Sequence, residues 1–201
     1  MRTKVLMALA LLVVCTSVVA QEAKKDAAAD QQKMMEAMME AMMKAMMPGD
    51  AQKLLNDMVG TFDVKVTAWM MPGQPPTGGS GTAVSTWIMD GRYVQQKFSG
   101  KFMGMPFEGL GYTGYDNVKK SYWSTWVDNM GTGVMTSTGS TSDGGKTWKF
   151  QSSMPDPMTG KDTPEESQLT VTDHNHYTMS MWSPGPDGKM MKMMEIAYTR
   201  K

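Results

Sequence analysis

Methionine is the residue type with most to offer chemically, at 26 of 201 residues. Eight of them sit in one run, Met34-Met35-Glu36-Ala37-Met38-Met39-Glu40-Ala41-Met42-Met43-Lys44-Ala45-Met46-Met47. Thioethers are soft ligands that suit Cu(I). The paired Met-Met steps, Met38 and Met42 among them, could form such a site, as could Met190-Met191 and Met193-Met194. Methionine is also flexible and polarizable and makes adaptable apolar surfaces. Packing or self-association of the run is therefore the leading expectation. Copper handling and sulfoxide cycling are the alternatives.

His174 and His176 are the only histidines. On one extended segment, i and i+2 point the same way and could ligate one metal, with Asp173 adding an oxygen. Asp173 to Asn175 reads equally as a turn tip, where histidines are simply solvated. Gly109-x-Gly111-x-x-Gly114 matches the dinucleotide fingerprint by letter. That fingerprint needs a strand before it and a helix after it. Here Tyr115-Asp116-Asn117 turns into another strand, so the glycines are expected to bend a strand. No Gly-x-Ser-x-Gly elbow exists. Glu108, Glu165, Glu166 and Glu195 could pair in space, but sequence does not place two of them across a substrate. The chain reads as a binder rather than an enzyme, with no cofactor expected.

Residues 1–20 read as a secretory signal. Arg2 and Lys4 supply the positive start, Val5 to Val19 the apolar stretch, and Val18 and Ala20 the small residues before a cut ahead of Gln21. The apolar run is shorter than the roughly 20 residues that span a bilayer, so no stable span is expected in the mature chain. The single cysteine, Cys15, leaves with the signal. Val14 does not fit the position that a lipoprotein box gives to a small residue. Losing Arg2 and Lys4 leaves two more acids than bases, and there is no basic stripe. Nucleic acid is therefore not an expected partner. The expected location is the periplasm or outside the cell.

Residues 21–33 read as a polar, partly disordered leader. Residues 34–58 read as the methionine helix, stopped by Pro48-Gly49, and a short second helix capped by Asp50. The domain proper is 59–201. Phe62, Val64, Val66, Ala68 and Met70 alternate with polar neighbours, the period of a half-buried strand. Pro72 to Ser80 reads as a loop. Hairpin signals follow at Asp90-Gly91, Asp116-Asn117, Asp143-Gly144-Gly145, Asp173 to Asn175, and Pro184 to Gly188. No connection is long enough for a parallel crossover. The pattern predicts an all-β, up-and-down antiparallel barrel of about eight to ten strands, with a ligand-sized interior.

Two resemblances sharpen this. Gly60-Thr61-Phe62 after a short helix, with Arg200 ending the last strand, is similar to the calycin and lipocalin arrangement. There an arginine packs across an aromatic ring to close the barrel; here Phe62 stands where those families carry tryptophan. Some calycin-like barrels hold haem through one axial histidine. Trp87-Ile88-Met89-Asp90-Gly91-Arg92-Tyr93, Phe102-Met103-Gly104-Met105-Pro106-Phe107-Glu108-Gly109, Gly114 to Lys120 and Asp156 to Lys161 resemble the bacterial family catalogued as domain of unknown function 1579. The likeness spans about Leu54 to Lys201. It implies a calycin-like, often exported barrel and brings no established activity. The expected role is non-catalytic binding of a small, largely apolar ligand. Trp87, Gln96, Glu108, Tyr112, Trp126 and Glu195 are the candidate lining residues.

Overall fold

The computed structural model describes residues 24–71, 73–156 and 158–201 in full, and residues 2–23 as helix backbone only. The signal assigned to residues 1–20, with Cys15 and the cleavage point, lies outside the fully described residues. Two units are present, Met1–Met46 and Met47–Lys201.

The first unit is helix α1, Arg2–Met46. Residues 24–33, expected as a partly disordered leader, are helical here. Their Ala, Lys and Gln content favours helix, and the Gln32 amide donates to Glu36 Oε1 at 2.9 Å. Glu40 and Lys44 pair at 2.8 Å one turn apart. Among the described residues, no helix is long and apolar enough to cross a membrane.

The second unit opens with helix α2, Asp50–Lys53, which tightens into a 3-10 turn, Leu54–Met58. Asp50 does not cap it. The cap is Gly49, whose N–H donates to Gln52 Oε1 at 2.7 Å, while Asp50 pairs with Lys53. Ten strands follow: β1 Gly60–Ala68, β2 Thr77–Ile88, β3 Tyr93–Phe102, β4 Met105–Asp116, β5 Ser121–Asp128, β6 Met135–Thr141, β7 Thr147–Pro155, β8 Asp162–Asp173, β9 His176–Pro184 and β10 Met190–Arg200. Each pairs antiparallel with its chain neighbours, and β1 pairs with β10. The sheet therefore closes on itself and leaves no free edge. Met70 falls beyond the end of β1 and is exposed. Residues Thr77 to Ser80, expected as loop, begin β2 instead.

Several of the hairpins share one device. The carboxylates of Asp116, Asp143, Asp156 and Asp173 accept backbone N–H groups two to four residues ahead. These bonds, foremost that from the Lys119, Thr147, Thr159 or Asn175 amide respectively, hold each carboxyl below its ordinary range. The turn thereby gains a charge-assisted clamp.

Candidate functional site

Register separates the two faces of the wall. Phe62 lies opposite Ala83, Ala83 opposite Phe98, and Val64 opposite Tyr198. All five are buried, so their parity marks the inward face.

At the end where β1 begins and β10 finishes, the base, the interior is solid. Leu55, Phe62 and Trp148 have no exposed surface. Tyr177 and Tyr198 stack at 4.2 Å, and Phe62 meets Tyr177 edge-on at 5.0 Å. Burial drives both tyrosine hydroxyls well above the ordinary phenol range, so both stay neutral. Gln96 donates to Ser85 Oγ at 3.2 Å and to the Tyr177 hydroxyl at 3.4 Å. Helix α2 and the 3-10 turn plug this end: buried Gln52 of α2 donates to the Tyr115 carbonyl at 3.2 Å, and the Tyr122 hydroxyl donates to the Ala51 carbonyl at 2.9 Å. Arg200 pins the seam. Its guanidinium lies 4.6 Å from the Phe62 ring centre and donates to the carbonyls of Val59 at 2.7 Å, Asp57 at 3.0 Å and His174 at 2.9 Å.

Toward the other end, the mouth, the same inward parity gives a different result. Val66, Phe107, Trp126, Met135, Met179, Met181, Met194 and Ile196 face inward and are only partly buried, while Ala68, beyond Val66 on β1, is buried. Val66, Phe107, Trp126, Met179 and Ile196 pack against the core from one side, and the Phe107 ring lies 5.5 and 5.9 Å from those of Phe98 and Phe102. Above the packed base stands a largely apolar inward surface that is only partly buried, the cup. Its wall also carries a polar row: Thr113, Ser124, Ser137, Ser152 and Glu165 lie opposite one another across β4 to β8. Ser152 donates to Glu165 Oε2 at 3.3 Å. Burial raises the Glu165 carboxyl above its ordinary range, and the Ser152 bond offsets part of that. At the rim, Pro186, Asp187, Lys189, Met190 and Met191 line an open depression of about 360 Å³. It belongs to the β9–β10 turn rather than to the interior.

The six expected lining residues divide evenly. Trp87, Gln96 and Trp126 face inward. Trp87 and Gln96 sit in the solid base, with the Trp87 indole donating to Asn56 Oδ1 at 3.0 Å. Only Trp126 lines the cup, its N–H held by Asp128 Oδ2 at 2.9 Å. Glu108, Tyr112 and Glu195 face outward, which corrects their assignment. Glu108 pairs in register with outward Ser99, and Tyr112 with Gln95, whose amide donates to the Tyr112 hydroxyl at 3.0 Å. Glu195 follows a bulge between Lys192 and Met194 and pairs with Lys192 at 2.7 Å. Lys192 in turn lies between the Trp69 and Trp182 rings, at 5.9 and 5.7 Å from their centres.

The histidines are not brought together on one ligand. His174 Nδ1 lies 3.2 Å from Asp57, and His176 Nδ1 lies 2.9 Å from Asp173, both at the base turn and both exposed. The turn between them breaks the extended geometry that would aim i and i+2 alike. No histidine faces the interior, so haem held there by an axial histidine has no ligand to use. Among the described residues, no group of three or more His, Cys, Asp or Glu could hold a metal ion. Met38 and Met42 are exposed on α1.

Sequence reasoning missed Glu165, Ser152, Met181 and Met194 as lining. The signal was present: Thr163, Glu165, Ser167 and Leu169 alternate with Pro164, Glu166 and Gln168. The role of the fingerprint glycines also emerges. Gly109 and Gly111 lie beneath the Trp126 indole, where an added Cβ would overlap the ring, and Gly114 lies beneath Tyr93 and Trp123 on the outer face.

A closed ten-stranded antiparallel barrel, plugged at one end by a short helical segment, is the class that this geometry defines. Residues 47–200 match the family described as protein of unknown function (DUF1579), and the chain belongs to that family. It is similar to the crystal structure of Rv2717c from M. tuberculosis, with a TM-score of 0.54, 14% identity, 76% of this chain and 98% of that one covered. Two redesigned β-barrels resemble it more loosely, each with a TM-score of 0.39 over 76% of this chain. They are b11L5F_LGL, at 14% identity and 96% of its own length, and mFAP1 bound to DFHBI, at 15% and 100%. No curated protein matches the chain.

Proposed function

We propose that the mouth half of the barrel is a non-catalytic binding cup for a small, largely apolar ligand, in a protein exported by cleavage after Ala20. The observation that carries this reading is the change in exposure along one inward face, from fully buried at Phe62 and Trp148 to partly exposed at Val66, Met181 and Met194. Partly exposed apolar side chains on a concave wall lose contact with water when an apolar guest enters, at about 25 cal/mol per Å². Thioethers adapt to guests of different shape. A Nile red titration of the full chain tests it. Saturable binding is expected, lost in Met181→Trp, which fills the cup, and kept in Val84→Trp, on the outer face. Equal binding in both variants would remove the cup as the site. Cell fractionation followed by N-terminal sequencing tests export and cleavage: chain confined to the cytoplasm would refute the first, and an intact Met1 start outside it would refute the second.

A second reading concerns the methionine run. Its eight side chains are each 53% to 69% exposed. We propose self-association through this run, with Cu(I) uptake by its thioethers as the alternative. A deletion of residues 34–47 distinguishes them: loss of a higher-order species in light scattering supports the first, and loss of Cu(I) uptake under reducing conditions supports the second.

A further inference from the structure

The sign of the charges in the cup specifies the guest further. Every strand lysine, namely Lys65, Lys97, Lys101, Lys149 and Lys192, occupies an outward register position. Among the described residues, the inward positions of the mouth half carry no base. They carry two acids, Asp128 and Glu165. Asp128 is already engaged, one oxygen taking the Trp126 indole N–H and the other the Met130 amide, both at 2.9 Å. Glu165 is not. Its one hydrogen bond among the described residues is from Ser152, at 3.3 Å. A partly buried inward carboxyl whose register neighbour is a serine, with no cation paired to it, is costly unless something brings the opposite charge. Burial already pushes that carboxyl toward its neutral form.

We infer that Glu165 is the head-group anchor of the cup, and that the guest is an amphiphile with a protonated amine at one end and an alkyl or aryl body. The amine would pair with Glu165 and meet the hydroxyls of Ser152 and Ser137, while the body lies along Met181 and Met194 on the neighbouring strands. A carboxylate head finds no base at the inward positions of the mouth half, and two acids there. Fatty acids are therefore the amphiphiles that the wall selects against.

This inference rests on the cup reading, and one experiment separates their failures. Decylamine, decanol and decanoate share a chain and differ in head. Each is titrated by calorimetry into the full chain at pH 7, in the wild type, Glu165→Gln and Glu166→Gln, the last being the outward neighbour. Decylamine is expected to bind at least tenfold more tightly than decanol, with decanoate weakest. E165Q should lose that tenfold advantage and keep the decanol affinity, which also reports that the variant is folded. E166Q should change none of the three. Equal amine and alcohol affinities in the wild type, an unchanged amine affinity in E165Q, or an equal loss in E166Q overturns the anchor and leaves the cup intact. Binding of none of the three overturns the cup itself. Should E165Q fail to fold, the amine-to-alcohol ratio of the wild type decides.

Discussion

Arg200→Ala removes a single side chain that ties three parts of the chain to one point. The guanidinium donates to the carbonyls of Val59 and Asp57, which belong to the plug, and of His174, which belongs to the β8–β9 turn. It also covers the Phe62 ring. The two part-buried, charge-assisted bonds contribute about 1.5 kcal/mol each. The exposed bond adds about 0.5 kcal/mol and the ring contact about 1 kcal/mol. The expected loss is about 4.5 kcal/mol, a large share of the 5–15 kcal/mol typical of a domain. In a domain of this size it lowers Tm by about 9–18 °C. Arg200→Lys keeps a charge over the ring but replaces a planar fork with a point donor, so roughly half the loss should remain. Urea denaturation followed by tryptophan emission gives both numbers, with the slope showing whether the unfolded state has changed. An R200A variant within about 1 kcal/mol of wild type at unchanged slope would refute the reasoning.

Glu165→Gln should raise Tm at pH 7 and leave it unchanged in acid. A carboxyl raised by burial contributes stability below its unfolded pKa and loses it as pH rises through the folded pKa, whereas the amide does not titrate. Equal Tm differences across that range would count against a buried Glu165. Asp143→Ala should behave in the opposite sense. Its carboxyl is held low by the Thr147 amide first, so its stabilisation is present above the unfolded pKa and lost as pH falls through the folded one; the gap between wild type and variant should close in acid. Gly109→Ala should displace the Trp126 indole, cost about 1–3 kcal/mol as overpacking, and shift tryptophan emission; unchanged emission would place the ring elsewhere.

Much of the wall was legible because one face is buried and the strand period is two. Phe62, Val64 and Val66 read inward from alternation alone, and the Asp-led turns fixed most of the hairpins. The misses have physical causes. Thr77-Gly78-Gly79-Ser80 reads as a loop, yet it is strand. Gly81 and Gly100 face each other so closely that a Cβ on Gly100 would come within 2.6 Å of the Gly81 Cα. In β4 the inward positions include Gly109 and Gly111, so the larger Glu108 and Tyr112 draw the eye to the wrong face. In β10 the bulge after Lys192 shifts the register, and no residue type in Met190 to Ile196 announces it. Glu165 was visible only as one of four scattered glutamates, because its inward parity has meaning only once β7 and β8 are paired.

The ladder between β1 and β10 differs from the other nine in having no turn to nucleate it. Every other pairing joins consecutive strands, whereas this one must bring the two extremes of the barrel segment together. Its closure carries the largest loop-entropy cost and waits for the hairpins to form. Until then the nascent sheet has two raw borders, and a second chain can occupy either of them. Refolding yield should therefore fall as concentration rises, even though the finished cylinder offers nothing for a neighbour to join.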